Sequence, residues 1–251
     1  MKRLIIFACI LAGTFSAHRA LACTGITLHT ANNYPVTART IEWAATPLHA
    51  MYVIVPRGQQ QRSFLPDGTL AGKTFTAKYG YVGISVENDA FVMEGINEAG
   101  LGVGLFYFPQ YGEYPPYDPQ KKEQSVSDMQ LAAWILSSFA SINELQAAMP
   151  QIRVIATDPR ASTVHWRITE SSGRQVVLEI VNQHVHFYEN PLGVLTNSPD
   201  FGWHLTNLNN YVNLQPGSAP DNTIAEGITL KALGHGSGML GLPGDFTSPS
   251  R

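Results

Sequence analysis

The residue best placed to do chemistry is Cys23. The chain of 251 residues holds two cysteines, Cys9 and Cys23. Cys9 lies within an apolar run over residues 4–15, behind the basic start Met1-Lys2-Arg3, and the run leads to Ala20-Leu21-Ala22-Cys23. A basic start, about a dozen apolar residues and a small-x-small end read as a secretory signal peptide over residues 1–22. The run falls short of the roughly 20 apolar residues of a spanning helix, so no transmembrane span is expected. Cleavage after Ala22 would remove Cys9 and make Cys23 the first residue. A thiol on residue one carries its own base. The α-amine has a reference pKa of about 7.7–8.0 and the thiol about 8.5, so neighbouring charge can bring either near neutrality. The amine can take the thiol proton, directly or through a water, and later protonate a leaving amine.

Two other readings of Cys23 stand beside this one. It can be an accident of the cleavage site, or the lipid-bearing cysteine of an exported lipoprotein. Leu21 stands two residues before Cys23 where a lipobox has its leucine three before, so the lipoprotein match is poor.

Composition narrows the classes. Sixteen Lys and Arg against nineteen Asp and Glu give a net charge of −3, and loss of Lys2, Arg3 and Arg19 with the leader makes the remainder more acidic. A nucleic-acid binder would show a basic excess, so nucleic acid is not an expected partner. With 44% hydrophobic and 10% aromatic residues the chain is built for a packed core. Gly236-Ser237-Gly238-Met239-Leu240-Gly241 fits a dinucleotide fingerprint in letters, but no clear strand leads into it and too little chain follows. His184 and His186 share a strand face without an evident third ligand, so no metal is expected.

The elements that must position Cys23 read as antiparallel strands with a helical interlude. Strands are expected over 23–30 and 34–42, forming a hairpin about Ala31-Asn32-Asn33, and over 51–55, 79–86, 90–96 and 101–108. Residues 59–74 and 110–124 read as loops, the second as a site lid. Ser125 and Ser141 each open a helix, the second through the capping box Ser141-Ile142-Asn143-Glu144, with Pro150 closing it. Strands resume over 153–156, 163–170, 175–182 and 185–188, and 203–212 is helical. This pattern predicts an α+β domain with helices layered on sheets. No linker or repeat divides it, so residues 23–251 read as one domain.

Particular stretches go further. Cys23-Thr24-Gly25, Ala38-Arg39-Thr40-Ile41-Glu42-Trp43, Leu195-Thr196-Asn197-Ser198-Pro199-Asp200 and Gly241-Leu242-Pro243-Gly244-Asp245 closely resemble, in this order, the choloylglycine hydrolase family, which includes penicillin V acylases and bile salt hydrolases. The resemblance covers residues 23–251. It implies the N-terminal nucleophile hydrolase fold, a four-layer αββα sandwich, with Cys23 as nucleophile. Arg39 stands where the family has an arginine near the sulfur. Glu42 replaces an aspartate that contacts the terminal amine in many members, one methylene longer. Asn197 matches the asparagine whose amide holds the oxyanion. Tyr107 falls at the second oxyanion position, donating its backbone N–H. Arg251 matches the last active-site arginine.

The expected activity is hydrolysis of a linear carboxamide through a Cys23 thioester, without cofactor or metal, on a small-molecule N-acyl amide. Tyr107 and the leader favour a penicillin V acylase-like enzyme in the periplasm of a Gram-negative bacterium over a bile salt hydrolase or an acyl-homoserine lactone acylase. Homo-oligomerisation stays open. A reading of another class is an inactive or truncated lipid-anchored or periplasmic binding protein, since family members continue beyond the position of Arg251. The substrate pocket is expected to be shaped by loops near Met51, Phe64 and residues 111–117.

Overall fold

The computed structural model describes residues 23–42, 48–212 and 220–231. The chain divides into two compact units, residues 1–198 and 199–251.

The first unit is organised by a seven-stranded sheet. Strands β1 (Gly25–His29) and β2 (Pro35–Arg39) form the expected hairpin, with Asn33 at positive φ in its turn. Then come β3 (Ala50–Val55), β4 (Gln60–Phe64), β5 (Leu70–Thr76), β6 (Tyr81–Val86), β7 (Asn88–Asn97), β8 (Gly102–Tyr107) and the short β9 (Ser125–Ser127). Helices α1 (Leu131–Ser138) and α2 (Ile142–Ala148) follow, then β10 (Arg153–Ile155), β11 (Val164–Thr169), β12 (Gln175–Val181) and β13 (His184–Glu189). The large sheet runs β13-β12-β11-β8-β7-β6-β3, with every neighbour antiparallel. The second unit holds α3 (Phe201–Asn207) and the hairpin β14 (Asn222–Ala225) with β15 (Ile228–Leu230).

Strand alternation sends side chains to two different environments. On one face Val103, Leu105, Trp166, Ile168, Val176, Leu178 and Ile180 join the apolar core with α1 and α2. Helix α1 is apolar around almost its whole circumference, and Leu131 to Ser137 are all buried, as expected of a helix enclosed by its own domain. A helix end leaves its last carbonyls without intrahelical donors. Here the Asn97 side chain donates to the Leu136 and Phe139 carbonyls at 2.9 and 2.7 Å, and the Lys78 and Tyr79 amides donate to Ser137 O. On the opposite face Phe106, His165, Arg167, Val177 and Glu179 are buried under the β1–β2 hairpin and the segment around Leu195. The unit is therefore layered as helices, large sheet and small sheet.

Two local expectations fail for one reason. Residues 59–74 form a hairpin, β4 with β5, not a loop; polar Ser63 is buried there because the Gln130 side chain accepts from Phe64 N and Ser63 Oγ. Ser125 opens no helix but lies in β9, which pairs in parallel with β10, and the helix begins at Leu131. Gln130 holds the first and β10 pairs with the second, and local pattern does not report partners so distant in sequence. At α2 the capping expectation holds: Ser141 Oγ accepts from Glu144 N at 3.2 Å.

Candidate active site

Cys23 is tied to two parts of the first unit, the 195–196 segment and Glu42. Gly25, two residues on, exchanges backbone hydrogen bonds with Leu195 at 2.7 and 3.0 Å, which brings the start of β1 beside Thr196 and Asn197. Thr196 Oγ1 donates to the Cys23 carbonyl at 2.9 Å. Cys23 is buried, only 5% exposed, and its sulfur has the backbone carbonyl of Glu42 3.7 Å away. Cys23 is the free cysteine among the described residues.

Tyr107 ends β8, and its N–H donates to Asn197 Oδ1 at 3.2 Å. The two groups expected to bind an oxyanion thus meet, from residues 90 apart in sequence. The Tyr107 hydroxyl points away and donates to Ser162 at 2.8 Å. The Glu42 side chain is exposed, and its backbone carbonyl faces Cys23. Arg251 lies outside the described residues.

Arg39 is 5% exposed at its side chain and strongly held. Its Nη1 donates to the Leu105 and Met93 carbonyls at 2.5 and 3.0 Å, and its guanidinium lies 4.1 Å from the Phe106 ring centre. Glu94 lies between two guanidinium groups, 3.6 Å from Arg39 and 3.5 Å from Arg167. Burial pushes the Glu94 carboxyl up, while Arg167 and Arg39 pull it back down. Burial likewise lowers the pKa of Arg167. Arg39 is therefore part of a buried charge cluster below the hairpin, which reaches Cys23 through β1 and β2 and not by a hydrogen bond to the sulfur.

Beside Tyr107 opens a cavity of about 700 Å³. Ile41, Leu48, Phe91, Met93, Leu105 and Val164 give it an apolar body, and Thr157, Asp158, Arg160 and Ser162 a polar rim. Met51 and Phe64, from the loops expected to shape a pocket, line a separate cavity of about 570 Å³. The loop at 110–124 is pinned to the sheet, with Tyr114 Oη donating to Val164 O at 2.9 Å and Glu113 N donating to Ile180 O. His184 and His186 belong to no metal-binding group among the described residues. The glycine-rich stretch at 236–241 lies outside the described residues.

The model of the linear amide C–N hydrolases, choloylglycine hydrolase family, matches residues 23–251. The chain belongs to the choloylglycine hydrolase family. A bile salt hydrolase/transferase of Clostridium perfringens is 32% identical over 91% of this chain and 69% of its own length. A penicillin V acylase of Pectobacterium atrosepticum is 29% identical over 80% of this chain and 56% of its own. The crystal structure of a cysteine-to-alanine mutant of the conjugated bile acid hydrolase from C. perfringens superposes with a TM-score of 0.73 at 30% identity, covering 90% of this chain and 68% of that one. Penicillin V acylase from Agrobacterium tumefaciens gives a TM-score of 0.62 at 26% identity, over 75% of this chain and 56% of that one. The fold is thus α+β of the N-terminal nucleophile hydrolase type, and this family member is a linear amide C–N hydrolase.

Sequence reasoning missed Glu94, His165, Arg167 and Glu179. A signal existed for three of them. Each is a charged or imidazole side chain within the otherwise apolar strands β11 and β12, where burial of such a group demands a partner.

Proposed function

We propose that Cys23 is the nucleophile of an N-acyl amide hydrolase that becomes active when residues 1–22 are removed. The observation that carries this reading is the meeting of Tyr107 N–H and the Asn197 amide within 3.2 Å, on a segment bonded to the Cys23 strand. The family match begins at Cys23, as a processed N-terminus there requires.

The sulfur attacks the substrate carbonyl, and the α-amine takes the thiol proton. The carbonyl oxygen becomes an oxyanion, which replaces Asn197 Oδ1 as the acceptor of Tyr107 N–H while the turned amide donates from Nδ2. Such a donor is worth roughly 3–4 kcal/mol in the transition state. The C–N bond breaks, the α-ammonium protonates the departing amine, and a Cys23 thioester remains. Water, deprotonated by the α-amine, attacks the thioester and releases the acid and the thiol. Arg39 contributes positive charge to this region without touching sulfur. Glu42 is assigned to the terminal amine from the resemblance, a group that exists only after cleavage, and Arg251 completes the set carried over in the same way.

The 700 Å³ apolar cavity fits a hydrophobic acyl group, leaving the compact polar amine toward Cys23. The preferred substrate class is that of penicillin V, on the strength of Tyr107. A bile salt hydrolase reading is favoured by a separate observation, the higher identity and coverage of the C. perfringens relative. Both are tested by supplying penicillin V, glycocholate, taurocholate and acyl-homoserine lactones and measuring released amine. Amine is expected from at least one, foremost penicillin V, and is lost in Cys23→Ser. Full activity of that variant overturns the nucleophile assignment. Export to the periplasm follows from the leader and is tested by fractionating the producing cell.

A further inference from the structure

His165 and Glu179 are wholly buried and have no part in the bond-breaking steps above. They face each other across β11 and β12, with His165 Nδ1 3.0 Å from Glu179 Oε1. His165 Nε2 lies 2.9 Å from the carbonyl oxygen of Thr196. A carbonyl oxygen only accepts, so Nε2 carries a hydrogen. Nδ1 then either donates to the Glu179 carboxylate or accepts from the Glu179 carboxylic acid, and in both forms the two residues share two protons. The ring is thereby fixed at both nitrogens.

The faces of the ring are fixed as well. Phe108 stacks on it at 4.4 Å and 7°, and Phe106 meets it edge-on at 6.3 Å. Tyr107 stands between these two phenylalanines, and Asn197 directly follows Thr196. A single buried ring therefore touches the neighbours of both oxyanion donors. It also reaches the nucleophile, because Thr196 donates its hydroxyl to the Cys23 carbonyl.

We propose that His165 is a positioning residue that sets the separation of the Tyr107 N–H from the Asn197 amide, with Glu179 holding the ring in orientation. This rests on the oxyanion role given to that pair. Oxyanion donors act by where they stand when charge develops, so a displacement of the Thr196–Asn197 segment acts on the transition state and little on substrate binding. A pair buried only for stability is often replaceable by apolar residues; the geometry here gives this one a task.

The test uses the processed full chain with Cys23 titrated by iodoacetamide, so that turnover is expressed per reactive thiol. Alkylation forms no oxyanion and reports the thiol alone. In His165→Phe, which keeps a stacking ring but no nitrogen, kcat per thiol is expected to fall about tenfold or more, with KM and the alkylation rate within about threefold of the parent. Glu179→Gln can still donate to Nδ1 of a neutral ring and is expected to keep at least about a third of parental turnover. Parental kcat per thiol in His165→Phe overturns the proposal, as does an equal fall in alkylation and turnover, which marks a general collapse. Should His165→Phe not fold, nuclear magnetic resonance of the parent with ¹⁵N-labelled histidine decides. A slowly exchanging Nε2–H on His165 is expected, and a ring without one overturns the proposal. Loss of the Cys23 reading is distinguishable, since it shows as retained turnover in Cys23→Ala whatever His165 does.

Discussion

Glycine decides the site at two positions because there is no room for a carbon. A Cβ on Gly104 would come within 2.2 Å of Glu94 Oε2, and one on Gly25 within 2.7 Å of Phe106 and 2.8 Å of Arg167. The carboxylate that bridges Arg39 and Arg167 exists only because β8 carries no side chain there. Gly104→Ala is expected to lose about 1–3 kcal/mol of stability through overpacking, read as a lower denaturant midpoint. Glu94→Leu leaves two buried guanidinium groups without their anion and should cost about 3–5 kcal/mol by the same measurement. A midpoint unchanged in both would mean that the cluster does not hold the hairpin. On the role proposed for Asn197, Asn197→Ala removes one oxyanion donor, and kcat should fall by about 10²–10³ at nearly unchanged KM. A change confined to KM would assign Asn197 to substrate binding instead.

At the scale of elements, side chains do what the backbone alone leaves undone. Asp128, between β9 and α1, accepts at one oxygen from Met129 N, Thr157 N and Thr157 Oγ1, at 2.8, 2.9 and 2.6 Å. It thereby holds the 157–162 loop that rims the cavity. Burial pushes its carboxyl up, outweighing these hydrogen bonds, which favour the charged form. The folded state then holds the Asp128 proton more tightly than the unfolded chain does. Its contribution is complete below the ordinary carboxylate range and is lost as pH rises through the raised folded value. Asp128→Asn keeps an oxygen acceptor and does not ionise. Its Tm relative to the parent should climb as pH is raised from about 4 to about 7. A constant offset across that range would refute the assignment. At α2, Ser141→Ala should cost about 1 kcal/mol, since the cap on Glu144 N is lost. Most of the strands and this cap were legible because alternation and capping are local. The β4–β5 hairpin and β9 were not, because Gln130 and β10 stabilise them from far along the chain.

For the whole molecule, the proposed removal of residues 1–22 decides whether Cys23 has a free amine. Chain beginning at Met1 buries the Cys23 nitrogen in a peptide bond, which cannot serve as a base. A form with residues 1–22 retained should therefore release no amine, while a form beginning at Cys23 does. Intact mass of the protein recovered from the producing cell should match a free Cys23 amine; a diacylglyceryl adduct would instead assign it to the lipoprotein class. The described first unit contains Cys23, Tyr107, Asn197, the charge cluster and the cavity. Cys23 precedes β1, Tyr107 ends β8, Asn197 lies in the 195–197 segment, and Arg39, Glu94 and Arg167 come from β2, β7 and β11, so strand pairing brings together residues far apart in sequence.

The amino-acid sequence by itself singled out the candidate reactive group. Cys23 follows a segment that reads as a signal peptide, and on that reading its own amine can be its base. It also determined the antiparallel α+β class, since alternation and turn residues act over a few positions. Only the tertiary structure decided which carbonyls grip Arg39, which atom of Glu42 faces the sulfur, and which loops form the cavity. It alone placed a buried His165 against Phe106, Phe108 and Thr196. Those outcomes depend on burial and on partners brought together by strand pairing across the sheet, and a linear pattern carries no record of which side chains will meet there.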